Sequence, residues 1–261
     1  MSICAYVDTN IDTPDIVVLP NDNKDTRNVN YENLTNVAVN KYDFPVVLNT
    51  NITGALCDKI TEIYEIVKQN SVDVVCLTET WCNSNIPDEA MQIPGFSCFR
   101  RDRQDGRACG GVICYVKESI PVIKVWDELD NKEFETLWLT TRPRHLPRGS
   151  SNISIGVVNH PPRANDWCMS QHLVECTDTI TRKYPQTEWL ILGDFNHMKD
   201  QYFKRTCHLQ QIVTQPTHGN SIIDLCYTTV KSMYTHVLHL PGIGLSHHQQ
   251  NHFYTFCSPV R

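Results

Sequence analysis

No stretch of this chain is long and apolar enough to cross a bilayer, which takes about 18 consecutive apolar residues. A helical membrane span is therefore not expected, and no membrane partner is assigned. A basic, apolar signal-peptide pattern is not expected from residues 1–43 either. Residues 1–43 are rich in Asn, Asp and Thr, with only Ile16–Leu19 clearly apolar, and read as a poorly ordered polar leader. Excess positive charge is also absent. The formal net charge is −6 and the pI near 6.0, so any nucleic-acid contact has to come from local patches rather than a global field. The 12 cysteines include no Cys-x-x-Cys pair, and Cys76, Cys114 and Cys226 sit inside apolar runs. They read as reduced, small hydrophobic residues of an intracellular protein, nuclear or cytoplasmic, rather than as a disulfide framework.

What is present is enough apolar residue, 41% of the chain, for one sizeable domain over residues 44–261. Its most informative stretch is Trp189-Leu190-Ile191-Leu192-Gly193-Asp194-Phe195-Asn196. The apolar run reads as a buried strand that ends at Gly193. Alternation in extended backbone would put Asp194 and Asn196 on one side and Phe195 in the core. A carboxylate beside an amide at the mouth of a strand can activate a water and hold a phosphoryl oxygen. The same residues also suit a plain strand end closed by an Asx turn.

Elsewhere the pattern alternates strands with helices. Phe44–Asn51 reads as a strand and Ala55–Gln69 as a helix with Leu56, Ile60, Ile63, Tyr64 and Val67 on one face, leaving Lys59, Glu62, Glu65 and Lys68 solvated. Val72–Thr78 is a strand that delivers Glu79, a natural hard-metal ligand, at its carboxyl end. Phe96–Val116 reads as a hairpin whose loop carries Arg100, Arg101, Arg103 and Arg107, side chains able to grip phosphates. Phe134–Thr141 and Ile153–Val158 are further strands, joined by a loop holding Arg142, Arg144, His145 and Arg148. Asn159-His160-Pro161-Pro162 ends the second, and a helix over Asp166–Lys183 follows with Asp166 as N-cap. The polar chain after Asn196 gives no clear element. Ser221–Tyr227 reads as a strand interrupted by Asp224, a burial that is costly unless a partner such as histidine is supplied. Val237–Leu240 and His252–Cys257 close the fold around a Ser246-His247-His248 cluster.

Taken in order, these pieces resemble the endonuclease/exonuclease/phosphatase superfamily, and within it the apurinic-endonuclease-like domain of non-LTR (LINE) retrotransposons of the chicken-repeat-1 kind. The resemblance is carried by Asn51 with Gly54 and Lys59, Leu77-Thr78-Glu79-Thr80-Trp81, Phe99–Arg103, Gly110-Gly111-Val112, Leu137-Trp138-Leu139 and Arg142-Pro143. It continues through Pro161-Pro162, Gly193-Asp194-Phe195-Asn196, Gln215-Pro216-Thr217, Ile223-Asp224-Leu225 and Leu245-Ser246-His247-His248. It covers about residues 44–257. It implies an α/β (α+β) four-layer sandwich of two packed mixed β-sheets flanked by helices. It also implies a monomeric phosphodiesterase that uses Mg²⁺ or Mn²⁺ to nick DNA. Residue by residue, it implies that Glu79 binds the metal beside Asn51, Asp194 positions or activates water, and Asn196 holds the phosphate. His248, oriented by Asp224, would stabilise the phosphorane-like state. Arg100, Arg101, Arg103 and Arg142 would contact the DNA backbone.

Three positions depart from the family pattern. Asn159 stands where relatives carry Tyr, His247 where they carry Asp, and His218 where they carry Arg. Losing one electrostatic contact of this kind costs about a hundredfold in rate. The alternative reading is therefore an impaired retrotransposon remnant that keeps the fold as a DNA- or protein-binding module. A lipid phosphodiesterase of the same superfamily would call for an apolar exposed loop, and none is evident in the sequence.

Overall fold

The computed structural model describes residues 43–103, 109–240, 243 and 254–259, with the backbone alone for 235, 236, 238–240 and 254–259. Residues 1–42, Arg107, His247, His248 and His252 lie outside the described residues. The strands are β1 (Val47–Asn51), β2 (Val74–Thr78), β3 (Phe96–Arg101), β4 (Val112–Lys117), β5 (Val122–Val125), β6 (Glu135–Thr141), β7 (Asn152–Asn159), β8 (Thr187–Asp194), β9 (Gln210–Gln211), β10 (Asp224–Thr228), β11 (Tyr234–Leu240) and β12 (Tyr254–Pro259). The helices are α1 (Leu56–Gln69), α2 (Asp166–Lys183) and α3 (Gln201–Thr206).

The strands form two six-stranded mixed sheets, ordered β11-β12-β1-β2-β4-β3 and β5-β6-β7-β8-β10-β9. β1 and β2 run parallel in the first, as do β7 and β8 in the second; the other pairings are antiparallel. Each central strand is apolar on both faces, as a strand buried on both sides must be. On β2, Val74 and Cys76 enter the core between the sheets, while Val75 and Leu77 pack in the cluster under α1. On β8, Leu190 and Leu192 face the first sheet, while Trp189 and Ile191 pack with Met169, Leu173 and Ile180 of α2. The result is the four-layer sandwich expected from the resemblance: α1, sheet, sheet, α2 with α3.

Local chemistry explains most boundaries, including those where the sequence reading differs. α1 buries Leu56, Ile63 and Val67. Lys59, expected in solvent, instead donates its ammonium to the Ile52 carbonyl, and burial lowers its pKa. The N-cap of α2 is Asn165, not Asp166: the Asn165 Oδ1 accepts from the amides of Trp167 (3.0 Å) and Cys168 (3.1 Å). The polar chain after Asn196 forms α3 and β9, anchored by buried Phe203 and Leu209. Residues 221–223 are not strand. They close a turn bridged by His218 and Ser221, so Asp224 opens β10 rather than interrupting it. The ten cysteines with described side chains are free, and Cys76, Cys114 and Cys226 are buried. Among the described residues no helix is long and apolar enough to cross a membrane.

Candidate active site

The register of the second sheet places four polar residues in one row. Glu135 pairs with Asn159, Asn159 with Asp194, and Asp194 with Asp224, across β6, β7, β8 and β10. Gly193 makes this possible. Its φ is +141°, and a Cβ there would stand 1.8 Å from the Val158 carbonyl oxygen, so no other residue lets β8 hug β7 at this point. β8 then ends at Asp194, and Asn196 adopts a left-handed φ of 49°. Simple alternation does not continue past Asp194. Phe195 is fully buried as expected, but the chain turns: the Asn196 amide donates to Asp194 Oδ1 (2.9 Å), and the Asn196 side chain donates to the His160 carbonyl (2.8 Å). The Asx turn and the carboxylate–amide pair are thus the same structure.

The first sheet meets this row through loops. At the end of β1 the Asn51 side chain donates to Asp194 Oδ2 (2.8 Å), joining the two sheets, and its oxygen accepts from the Thr53 amide (3.0 Å). Beyond β2, Glu79 and Trp81 both sit at left-handed φ, 52° and 55°, around buried Thr80. Non-glycine residues held there store strain that the surroundings must over-determine. Here the holders are the Gly54 amide on the Glu79 carbonyl (2.6 Å) and the Trp81 amide on the Gly110 carbonyl (2.8 Å). The Trp81 ring lies so close over Gly54 that a Cβ there would stand 2.2 Å from it. Trp81 Nε1 donates to Glu79 Oε2 (2.9 Å), while the Asn159 side chain donates to Glu79 Oε1 (2.7 Å) and Glu135 Oε2 (2.8 Å). Asn159, one of the departures from the family pattern, is therefore a cross-brace between carboxylates of both sheets.

Glu135 was not singled out in the sequence. Its signal is a carboxylate at the mouth of an apolar strand, the same logic that marked Glu79. Arg103 pairs with it through Nε and a terminal nitrogen, and the Gly111 amide donates to it (2.7 Å). Thr217, fully buried, was likewise seen only as part of a motif; its hydroxyl accepts from the amides of Ile223 (3.0 Å) and Asp224 (2.9 Å).

The electrostatics are those of carboxylates brought close together, two of them buried. Burial pushes the Asp194 carboxyl up, opposed by the Asn196 and Asn51 hydrogen bonds; the Glu79 charge raises it further and His218 lowers it. Asp224, 1% exposed, is pushed well up by burial and then by the Asp194 charge. Neither of its carboxylate oxygens has a hydrogen bond of ordinary geometry among the described residues. Glu79, Asp194 and Asp224 have no Lys or Arg ion-pair partner among the described residues, where the ion pairs lie elsewhere. No group of three or more His, Cys, Asp or Glu side chains converges as a metal cage among the described residues. Carboxylates without a cationic partner, beside hard oxygen donors, instead fit a cation held through one carboxylate and water, with Glu79 and Asn51 as the available protein groups.

The arginines assigned to DNA are placed differently. Arg100 is bound to Asp88 (2.9 Å), Asp102 and the Asn83 (2.7 Å) and Ile86 (2.8 Å) carbonyls, Arg101 to Asp130, and Arg103 to Glu135. These three brace loops against carboxylates rather than presenting open guanidinium groups. Arg142 is exposed, with its backbone amide on the Pro121 carbonyl (2.8 Å). His247 and His248 lie outside the described residues. The exposed apolar surface not evident in the sequence is present: Trp81 (39% exposed), Trp167 (54%), Tyr202 (42%) and Ile222 (38%) all lie in segments attached to the strand ends that carry this site.

Comparison with known proteins agrees with this fold. Residues 36–239 match the model of the Endonuclease/Exonuclease/phosphatase family. No curated protein matches. Among solved structures, the chain is similar to the endonuclease domain of TRAS1, a telomere-specific non-LTR retrotransposon, at 13% identity and a TM-score of 0.58, covering 83% of this chain and 99% of that one. It is similar to the AP endonuclease LMAP from Leishmania major at 13% identity and 0.58, covering 82% and 87%. The catalytic domain of human Nocturnin matches at 11% and 0.55, covering 82% and 93%. At these identities the likeness concerns the fold. With the family model spanning most of its length, the chain belongs to the Endonuclease/Exonuclease/phosphatase family.

Proposed function

We propose that this domain is a divalent-metal-dependent phosphodiesterase that nicks DNA, of non-LTR retrotransposon origin. The observation that carries the reading is the junction of the sheets, where Asn51 donates to an Asp194 carboxylate already fixed by the Asn196 amide. Asp194 is buried, and burial holds its carboxyl above the usual range, the direction that makes a carboxylate a better proton acceptor. In the reaction a water held at Asp194 attacks phosphorus as its proton passes to the carboxylate. The P–O bond opposite the entering water breaks, and the leaving oxygen gains a proton from solvent. By resemblance Asn196, its side chain steadied on the His160 carbonyl, holds the same phosphate. Glu79 and Asn51 are the groups for Mg²⁺ or Mn²⁺, which when bound would neutralise charge on the non-bridging oxygens. By resemblance His248 shares that task and Asp224 orients it.

The test is nicking of supercoiled plasmid by the full chain with Mg²⁺, beside Asp194→Ala and EDTA controls. Nicking lost in both controls supports the reading; a folded, inert protein rejects it. A second reading, the impaired remnant, draws on Asn159, whose amide occupies Glu79 and Glu135 where relatives present a tyrosine hydroxyl. Activity gained on Asn159→Tyr with His247→Asp would favour it.

A further inference from the structure

Among the described residues the large exposed hydrophobic side chains are four, all in segments that adjoin site-bearing strands in the chain. Two of them touch. Trp167 opens α2 just after the end of β7, and Tyr202 opens α3 just after the end of β8; their rings lie 4.7 Å apart, tilted by 43°. Half of Trp167 stays exposed despite that contact, so a ring face remains open. Water-facing aromatic surface is unfavourable, and a pair of touching rings left open to solvent is a candidate for recognition rather than packing.

Short contacts tie the pair to the reacting position. Asn196 donates to the His160 carbonyl (2.8 Å), the His160 ring bonds Asp166 Oδ1 (3.0 Å), and Asp166 Oδ2 accepts from the Lys199 amide (3.1 Å). Trp167 follows Asp166 in the chain. The same two segments carry exposed Arg163, Lys199 and Arg205, which form no ion pair among the described residues. Their acidic residues are engaged internally: Asp166 as above, and Asp200 with the Tyr227 hydroxyl (2.7 Å) and Lys204 (3.2 Å). On a chain of net charge −6, the two segments that carry the aromatic pair thus bear exposed cations and internally engaged acids. Aromatic faces interleaved with cations beside a phosphate-handling site suit a nucleic-acid strand whose bases are out of the duplex. An insertion surface for lipid would instead be contiguous and aliphatic.

We propose that Trp167 and Tyr202 form a stacking platform for an unpaired base of the DNA strand flanking the cleaved phosphate, a proposal that rests on the phosphodiesterase reading. Arg163 and Lys199 contact the adjoining phosphates. The platform lets the domain prefer DNA that is frayed, bubbled or single-stranded beside the nick over fully paired DNA.

The test uses the full chain in EDTA, which separates binding from cleavage. Anisotropy of a fluorescein-labelled single-stranded oligo-dT is titrated against wild type, Trp167→Ala, Trp167→Phe and Tyr202→Ala, with circular dichroism to verify folding. Loss of one stacked base predicts about tenfold weaker binding for Trp167→Ala, a smaller loss for Tyr202→Ala and near-retention in Trp167→Phe. Unchanged binding in both alanine variants overturns the platform, as does Trp167-dependent binding to phosphatidylserine vesicles in place of DNA. A plasmid assay with Mg²⁺ separates the two ideas. Nicking with Trp167-independent binding removes the platform and leaves the phosphodiesterase. Trp167-dependent binding without nicking removes the phosphodiesterase and leaves the platform.

Discussion

The two halves of the site are made in different ways. The second sheet supplies Glu135, Asn159, Asp194 and Asp224 as a register row on four adjacent strands, so hydrogen-bonded backbone fixes their spacing. The first sheet supplies Asn51 and Glu79 from strand ends and a loop with left-handed residues at 79 and 81, held by the Gly54 amide, the Gly110 carbonyl and the Trp81 ring. The row is rigid but must bury charge. The loop half carries backbone strain but can adjust. The Asn51 and Asn159 amides are where the halves are joined.

Glycine substitutions separate the halves most sharply. Gly193→Ala places a Cβ against the Val158 backbone, which cannot swing away. It should cost more than about 4 kcal/mol or prevent folding, read by urea denaturation followed by circular dichroism. Near-normal stability would mean the register row is not rigid. The seam between the halves comes next. Arg103→Met leaves the largely buried Glu135 carboxylate without its cation, at a cost of about 3–5 kcal/mol. Adding Glu135→Gln should recover much of it, and a double variant no better than the single would separate the two residues energetically.

The scaffold of the row also predicts a pH response. His172 is buried against Phe134, its Nε2 is 3.0 Å from the Thr136 hydroxyl, and burial lowers its pKa to about 4. The unfolded chain, with a histidine near 6.5, binds the proton more readily than the folded one, so this contribution is present above pH 6.5 and is lost as pH falls toward 4. The loss reaches about 3 kcal/mol. The raised Asp194 and Asp224 carboxyls act in the opposite sense, so the readout is the difference: from pH 7 to 4 the denaturant midpoint of wild type should lose ground relative to that of His172→Gln, and parallel curves would contradict it. The smallest effect belongs to the yielding half. Gly54→Ala meets the Trp81 ring rather than backbone, and although φ there is +78°, an exposed side chain can rotate away. The expected cost is about 1–2 kcal/mol, with a change in Trp81 fluorescence as its hydrogen bond to Glu79 is released. A loss as large as that of Gly193→Ala would erase the contrast between the halves.

Much of this architecture was legible because long apolar strands and an amphipathic α1 announce themselves by period, and because Gly193-Asp194-Phe195-Asn196 compresses a strand end and a turn into four residues. The misses have equally local causes. Asn165 and Asp166 are both good caps, and only the partner of each decides between them: the helix amides for Asn165, His160 for Asp166. Ile222-Ile223 looks like strand, yet Ile222 is exposed and the ladder starts one residue beyond Ile223. Arg101 and Arg103 looked available because Asp130 and Glu135 lie about thirty residues away in sequence, a pairing that only the β-topology creates. Glu135 escaped notice for the same reason: its meaning comes from standing in register with Asn159.

The central claim is that the Asn51–Asp194 junction is the base of a metal-dependent phosphodiesterase. Its most direct test is plasmid nicking by the full chain across a Mg²⁺ titration, with Asp194→Asn as the shape-preserving control. The account predicts nicking that rises with Mg²⁺, vanishes in EDTA and falls at least a hundredfold in a folded Asp194→Asn protein. Nicking indifferent to Asp194, or none from well-folded wild type at any Mg²⁺ concentration, would contradict it.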